Sequence, residues 1–147
     1  MTVHISDEYQ ILKLLYLYAE RVDQGDKEGV AALFDHADVK WGAQAEVTHG
    51  AAPVADLYER VIKLHADGTP RTHHLITNAI IDMDIEKGAA RSHSYYTVIQ
   101  QTDEVPLQVI AGGRYHDSFA RVDGAWRFSS REYFMDFRGN NRDHVKV

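Results

Sequence analysis

The spacing of apolar residues changes once along this chain of 147 residues, and the change falls at Arg71. Before Arg71, apolar side chains recur every three to four residues, which is the period of an amphipathic helix. After it, apolar and polar side chains alternate, which is the period of a half-buried β-strand. Helices gathered in the first half and long strands in the second indicate an α+β fold.

Three helical segments precede the change of period. The first ends at Gly25, the second begins at Asp26, and the third spans residues 51–65. Two short extended pieces, 38–41 and 46–49, lie between the second and third helices. The helical half is therefore predicted to contain two short β-strands as well.

Four long strands make up the second half. An Asp-Gly pair, which is a strong hairpin signal, separates the last two strands at Asp123 and Gly124. We predict one domain over residues 1–138 and a loose tail over 139–147, which is rich in Gly and Asn. The strands are predicted at residues 71–82, 89–100, 107–121 and 125–137.

Composition excludes several classes of protein. The formal net charge of -6 argues against a general affinity for nucleic-acid phosphates. The absence of cysteine excludes disulfides, thiolate nucleophiles and cysteine-bound metals. No apolar run approaches the ~20 residues of a membrane span, and residues 1–4 lack the features of a secretion signal. We expect a cytoplasmic protein that acts through His, carboxylate, Tyr and Arg side chains.

Polar side chains occupy both faces of the predicted strands. Because burial of an unpaired polar group is costly, such faces are expected to line a ligand cavity or a contact between subunits. We expect a homodimer or homotrimer on this basis. In the second long strand one face carries Ser92, Ser94 and Tyr96, and the other carries His93, Tyr95 and Thr97.

Asp23 and His74 are the first candidates for chemistry. Asp23 stands at the C-terminal end of the first helix, where the helix dipole disfavours a carboxylate. A nearby cation or donor would offset that cost, and a histidine is suitable. An imidazole held by a carboxylate keeps one nitrogen free to accept a proton. A solvent-exposed Asp23 and a structural His74 remain open alternatives at this point.

Four short motifs resemble one known family. They read YAERVDQGD at 18–26, RTHHLITN at 71–78, GRYHD at 113–117 and DGAWRF at 123–128. Together they resemble the SnoaL-like branch of the nuclear transport factor 2-like superfamily, over about residues 7–137. The pattern is most similar to scytalone dehydratase, hexachlorocyclohexane dehydrochlorinase and bile-acid 7α-dehydratase. The resemblance implies a cone-shaped barrel, in which a curved mixed sheet surrounds a deep apolar pocket and helices close its rim.

The resemblance also implies roles for individual residues. His74 would be the general base and Asp23 the carboxylate that orients it. Tyr18 would anchor the substrate or act as an acid, and Arg131 would stabilise developing negative charge in the pocket. Asn78, four residues after His74, would share its strand face and contact substrate.

These roles predict a cofactor-independent lyase that dehydrates an aromatic or polycyclic hydrophobic substrate. Isomerisation and retro-aldol cleavage need the same base and remain alternatives. A carrier or accessory protein without chemistry is another alternative, with an aromatic box as its binding site. Candidate residues for the box are Tyr95, Tyr96, Tyr115 and Phe134, and the last three are also candidates for substrate binding in the enzyme.

A metal site is the remaining alternative. His74, His93 and His116 could provide three imidazole ligands if the strand registers brought them together. Their spacing in the sequence does not match a metal motif. We therefore expect no metal and no cofactor.

Overall fold

The structure, a computed structural model that describes residues 3–146, contains three helices and six strands. Residues 1, 2 and 147 belong to the predicted domain and tail but lie outside the described residues. The helices are α1 (Asp7–Asp23), α2 (Lys27–Ala32) and α3 (Ala51–Val61). The strands are β1 (Asp38–Lys40), β2 (Val47–His49), β3 (Thr72–Asp84), β4 (Ala89–Gln100), β5 (Gln108–Val122) and β6 (Ala125–Arg138).

The six strands form one sheet in the order β2-β1-β6-β5-β4-β3. All neighbours are antiparallel except β1 and β6, which run parallel. The sheet is therefore mixed but mostly antiparallel, with the helices ahead of the long strands. This confirms the predicted α+β fold.

Helix α1 packs against the sheet and ends beside the start of β3. Ser6 caps it by accepting a hydrogen bond from the backbone N–H of Tyr9. Two of its own residues, Ile11 and Leu15, are fully buried. The helix ends at Asp23. Gly25, two residues later, has a φ of 72° and approaches the Gly68 carbonyl so closely that it leaves no room for a side chain. This ending holds Asp23 next to β3.

Strand β3 contains a bulge that reverses which residues face inward. The pairing with β4 shifts between Thr77 and Ile80, and Asn78 has a φ of 39°. Before the bulge His74 faces the interior, whereas after it Ile81 packs against the core and Ile80 is 65% exposed. The prediction that His74 and Asn78 share a face is therefore wrong, because the extra residue breaks the alternation.

The C-terminal segment, residues 139–146, is packed rather than loose. Val145 forms an antiparallel bridge with Ile62, and the backbone N–H of Lys63 donates to the His144 carbonyl at 2.9 Å. The Thr102 hydroxyl donates to the Asp143 carboxylate at 2.6 Å. Helix α3 is shorter than the predicted helix over residues 51–65. The backbone becomes extended at Ile62, where it pairs with the C-terminal segment.

The outer face of the sheet, away from the helices, leaves several apolar side chains in contact with solvent. Tyr95, Val109 and Phe137 are each more than half exposed there. The predicted contact between subunits on such a face stays a prediction. Within residues 3–146, no helix combines the length and apolarity needed to cross a bilayer.

Candidate active site

Asp23 and His74 form a hydrogen-bonded pair at the junction of α1 and β3. The Asp23 carboxylate accepts hydrogen bonds from Nδ1 of His74 at 2.6 Å, from the His74 backbone N–H at 2.7 Å and from the Thr72 hydroxyl at 2.9 Å. Both side chains are mostly buried, with 14% of Asp23 and 7% of His74 exposed. These donors offset the unfavourable position of a carboxylate at a helix C-terminus.

The geometry fixes the tautomer of the neutral imidazole. A carboxylate only accepts hydrogen bonds, so Nδ1 is assigned as the protonated nitrogen of a neutral His74. In this neutral form the second ring nitrogen, Nε2, has a free lone pair, and it makes no hydrogen bond within residues 3–146. A group of this kind can remove a proton from a bound molecule.

His74 opens onto a cavity of about 250 Å³ between the sheet, α3 and the C-terminal segment. Its wall is largely aromatic and apolar, and of the Asp23–His74 pair only His74 lines it. A cavity of about 150 Å³ is large enough to hold benzene. This cavity therefore suits a molecule of one or two rings. The aromatic residues of its lining are Tyr18, Trp41, Tyr58, Tyr96, Tyr115 and Tyr133.

Three tyrosine hydroxyls meet in the cavity. The Tyr18 hydroxyl shares a short hydrogen bond with that of Tyr58 and accepts one from Tyr133 at 3.0 Å. Burial raises the pKa of each of these three phenols well above its usual value. They therefore remain protonated at neutral pH. Because two of the three hydroxyl protons are used in the bonds among these tyrosines, one is left to be donated to an oxygen of a ligand.

Arg131 lies behind this aromatic layer and is not exposed to the cavity. Its guanidinium makes two hydrogen bonds to the Asp117 carboxylate, at 2.6 and 2.9 Å, and neither side chain has any exposed surface. Burial opposes its charge, but the Asp117 carboxylate raises the pKa of Arg131 well above its usual value. The guanidinium carbon lies 3.8 Å from the Tyr115 ring centre and 4.4 Å from that of Tyr18.

Tyr96 and Tyr115 stack on each other in the cavity wall, with ring centres 4.5 Å apart. Gly113 makes this packing possible, because a Cβ there would collide with the Tyr96 hydroxyl and with the Phe134 carbonyl. Burial raises the pKa of Tyr96 to about 12. Both tyrosines are therefore in position to contact a bound ring, as their predicted role requires.

Sequence comparison decides the family. The model of the SnoaL-like domain matches residues 3–132, which is most of the chain. The chain belongs to the SnoaL-like family. No curated protein gives a significant match to it.

Solved structures similar to this SnoaL-like protein share its fold. A protein of unknown function from Mycobacterium tuberculosis has 23% identity and a TM-score of 0.71, over 92% of this chain and 75% of the other. A proposed scytalone dehydratase from Novosphingobium aromaticivorans has 24% identity and a TM-score of 0.68, over 89% and 85%. A proposed aromatic ring hydroxylase from the same organism has 19% identity and a TM-score of 0.72, over 97% and 99%. At these identities the likeness establishes a nuclear transport factor 2-like fold alone.

Four residues assigned to the pocket of this SnoaL-like protein lie elsewhere. Tyr95 is more than half exposed on the outer face of the sheet. Asn78 is exposed at the bulge of β3. Phe134 points to the outer face, where its ring lies 4.5 Å from the Arg114 guanidinium and 4.7 Å from the His116 ring. Arg131 is sealed behind Tyr18 and cannot touch substrate directly. The prediction for Phe134 is wrong because its neighbour on the strand, Tyr133, faces the cavity.

The proposed metal triad does not assemble. His93 and His116 stack on the outer face of the sheet with ring centres 4.2 Å apart, whereas His74 faces the interior. Burial and the neighbouring His93 lower the pKa of His116. No metal-binding cluster of His, Asp and Glu occurs in the part of the chain that the structure describes.

Four aromatic or imidazole residues of the lining were not predicted from the sequence: Trp41, Tyr58, Tyr133 and His144. Trp41 stacks on Tyr133 with ring centres 4.0 Å apart and an interplanar angle of 12°. Tyr133 could have been found from the strand alternation, since it has the same parity as Arg131. His144 had no such signal, because it reaches the cavity through long-range pairing of the C-terminal segment.

Proposed function

We propose that this protein is a cofactor-independent lyase that removes water from a small hydroxylated ketone with one or two rings. The observation that carries the proposal is the 2.6 Å hydrogen bond between Asp23 and His74 at the wall of an aromatic cavity. A neutral imidazole in this state is a general base that needs no cofactor.

The chemistry follows from the groups around the cavity. Nε2 of His74 removes a proton from the carbon next to the ketone, and the ketone oxygen becomes an enolate. A hydroxyl of the Tyr18, Tyr58 and Tyr133 cluster donates a hydrogen bond to that oxygen. As the enolate collapses to a carbon–carbon double bond, the C–O bond of the β-hydroxyl group breaks. The imidazolium returns its proton to this oxygen, which leaves as water.

The cavity favours aromatic and fused-ring substrates of limited size. Its volume of about 250 Å³ suits two fused rings better than a steroid-sized molecule. Tyr96 and Tyr115 offer ring faces for stacking. These features support the aromatic part of the predicted substrate class and limit the polycyclic part.

Isomerisation shares the first proton transfer and is the second candidate. A ligand-binding protein without turnover is the third. One observation favours it: Asp23 also bonds Thr72 and the His74 backbone, and so joins α1 to β3 whether or not a reaction occurs.

The test uses 3-hydroxy-1-tetralone, a bicyclic β-hydroxy ketone whose dehydration yields 1-naphthol and water. We expect turnover, followed by naphthol absorbance, that His74→Gln lowers by roughly 10²–10⁴-fold. His73→Gln is the matched control, because this neighbouring histidine is exposed and absent from the cavity. Formation of naphthol at equal rates with the wild type, His74→Gln and buffer would overturn the lyase proposal.

A further inference from the structure

His144 is a second histidine in the cavity and has no part in the proposed chemistry. Its ring centre lies 6.1 Å from that of His74, and only 9% of the residue is exposed. Its Nδ1 atom is buried without a hydrogen-bond partner among residues 3–146. Because buried polar atoms are nearly always paired, this nitrogen points to a partner supplied by a ligand.

The position of this ring is held by the backbone on both sides. The His144 N–H donates to the Asn141 carbonyl at 3.0 Å, and its carbonyl accepts from Lys63. Two residues later, the Lys146 N–H donates to the Val61 carbonyl at 2.7 Å. The ring therefore enters the cavity from a segment that is fixed to the end of α3.

The charge state of His144 is set by its surroundings. Burial lowers its pKa to about 4, the nearby His74 and His65 act in the same direction, and Asp23 opposes them. At neutral pH the ring is uncharged and offers one donor and one acceptor. It can therefore bind a hydroxyl group without competing with His74 for the charge of Asp23.

We propose that His144 is a specificity-determining residue whose imidazole hydrogen-bonds to a hydroxyl group of an aromatic ligand beside His74. This deepens the proposed function, on which it rests, by assigning a polar substituent to the substrate at this side of the cavity. Ligands that lack the hydroxyl group leave the His144 nitrogen unpaired and bind less tightly.

The experiment compares two ligands by calorimetry: 2-naphthol, and 2-methylnaphthalene, which has nearly the same shape without the hydroxyl group. We expect wild-type protein to prefer 2-naphthol and His144→Leu to lose about tenfold in affinity for it, the size of one hydrogen bond. Binding of 2-methylnaphthalene should change less than twofold. His144→Gln, which keeps a donor and an acceptor, should retain most of the preference.

His93→Leu is the matched control, because it removes a histidine from the outer face and should leave both affinities unchanged. An independent readout is the ¹⁵N resonances of the His144 ring, which should shift when 2-naphthol is added to wild-type protein. Failure of 2-naphthol to bind, an equal loss for both ligands in His144→Leu, or unshifted resonances would each overturn the proposal.

These measurements need no turnover. A protein that fails to dehydrate 3-hydroxy-1-tetralone yet discriminates the two ligands through His144 would contradict only the lyase proposal. A protein that dehydrates it but does not discriminate would contradict only the role of His144.

Discussion

His74 is bound to the Asp23 carboxylate through two groups at once, its backbone N–H at 2.7 Å and its ring Nδ1 at 2.6 Å. The same carboxylate thus sets the position of the strand and the orientation of the ring it carries. A shift of Asp23 would move both together. The free Nε2 atom consequently keeps a defined direction relative to the cavity.

Replacement of Asp23 by Asn should separate binding from turnover. The amide keeps the shape of the side chain but loses the charge that stabilises the imidazolium, so kcat should fall by roughly 10²–10⁴-fold. The affinity for 2-naphthol should change less than twofold. Asp56→Asn, on the exposed surface of α3, is the control. An unchanged kcat in Asp23→Asn would show that the pair is structural.

The Arg131–Asp117 pair should contribute strongly to stability. Arg131→Met leaves a buried carboxylate without its partner, which typically costs about 3–5 kcal/mol in the free energy of unfolding. Urea denaturation followed by circular dichroism measures the loss. The double variant Arg131→Met/Asp117→Leu should recover part of it, because no charge then remains buried.

The matched control is Arg114→Met, which breaks the partly exposed Arg114–Asp136 pair on the outer face. Pairs this open to solvent contribute little to the free energy of unfolding, because water and salt screen the two charges. Equal losses for Arg131→Met and Arg114→Met would contradict the importance of burial.

Alkaline pH should destabilise the protein through its cavity tyrosines. Burial raises the pKa of Tyr18, Tyr58, Tyr115 and Tyr133, and raises that of Tyr96 to about 12. In the unfolded chain tyrosines lose protons near pH 10, whereas these five keep them when folded. Stability is therefore complete below pH 10 and falls above it, by up to about 1.4 kcal/mol per pH unit for each tyrosine.

Urea denaturation at several pH values between 9 and 11 measures this slope. Tyr58→Phe removes one of the five groups and should make the slope shallower by about a fifth. A slope that stays the same in Tyr58→Phe would contradict the assignment.

Asn78 should matter for the backbone of β3 and not for catalysis. Its φ of 39° is accessible to Asn and Gly but strained for a β-branched residue. Asn78→Val should cost about 1–3 kcal/mol in the free energy of unfolding, while Asn78→Gly should be close to neutral. Both should keep the kcat of the wild type. A loss of kcat in Asn78→Gly without a loss of stability would restore Asn78 as a pocket residue.

Most of the fold can be predicted from the sequence, because the strands are long and their alternation is regular. Predicted and observed ends of β3 to β6 agree within two residues, and the Asp-Gly hairpin lies where its turn chemistry requires. The placement of Asp23 at a helix end also points to a nearby donor through simple electrostatics. These signals are local, so they are readable without a structure.

The contents of the cavity were less predictable because they depend on register. A single bulge at Asn78 exchanges the inward and outward residues of β3. The neighbouring residues give no indication that Asn78 adopts a positive φ. The pairing of β5 with β6 also shifts between Ser118 and Phe119, so Phe128 faces inward before the shift and Arg131 and Tyr133 face inward after it. His144 joins the cavity only through backbone pairing with residues more than eighty positions earlier.

Trp41 provides this cavity with its own optical signal. The chain has two tryptophans, and the ring of Trp41 stacks on Tyr133 in the cavity wall, whereas buried Trp126 donates a hydrogen bond to Asp7. An aromatic ligand that enters would lie within energy-transfer range of Trp41 and alter its emission. The substitution Trp126→Phe would leave Trp41 as the single tryptophan. Its emission would then report binding of a ligand in the cavity in real time, without a label.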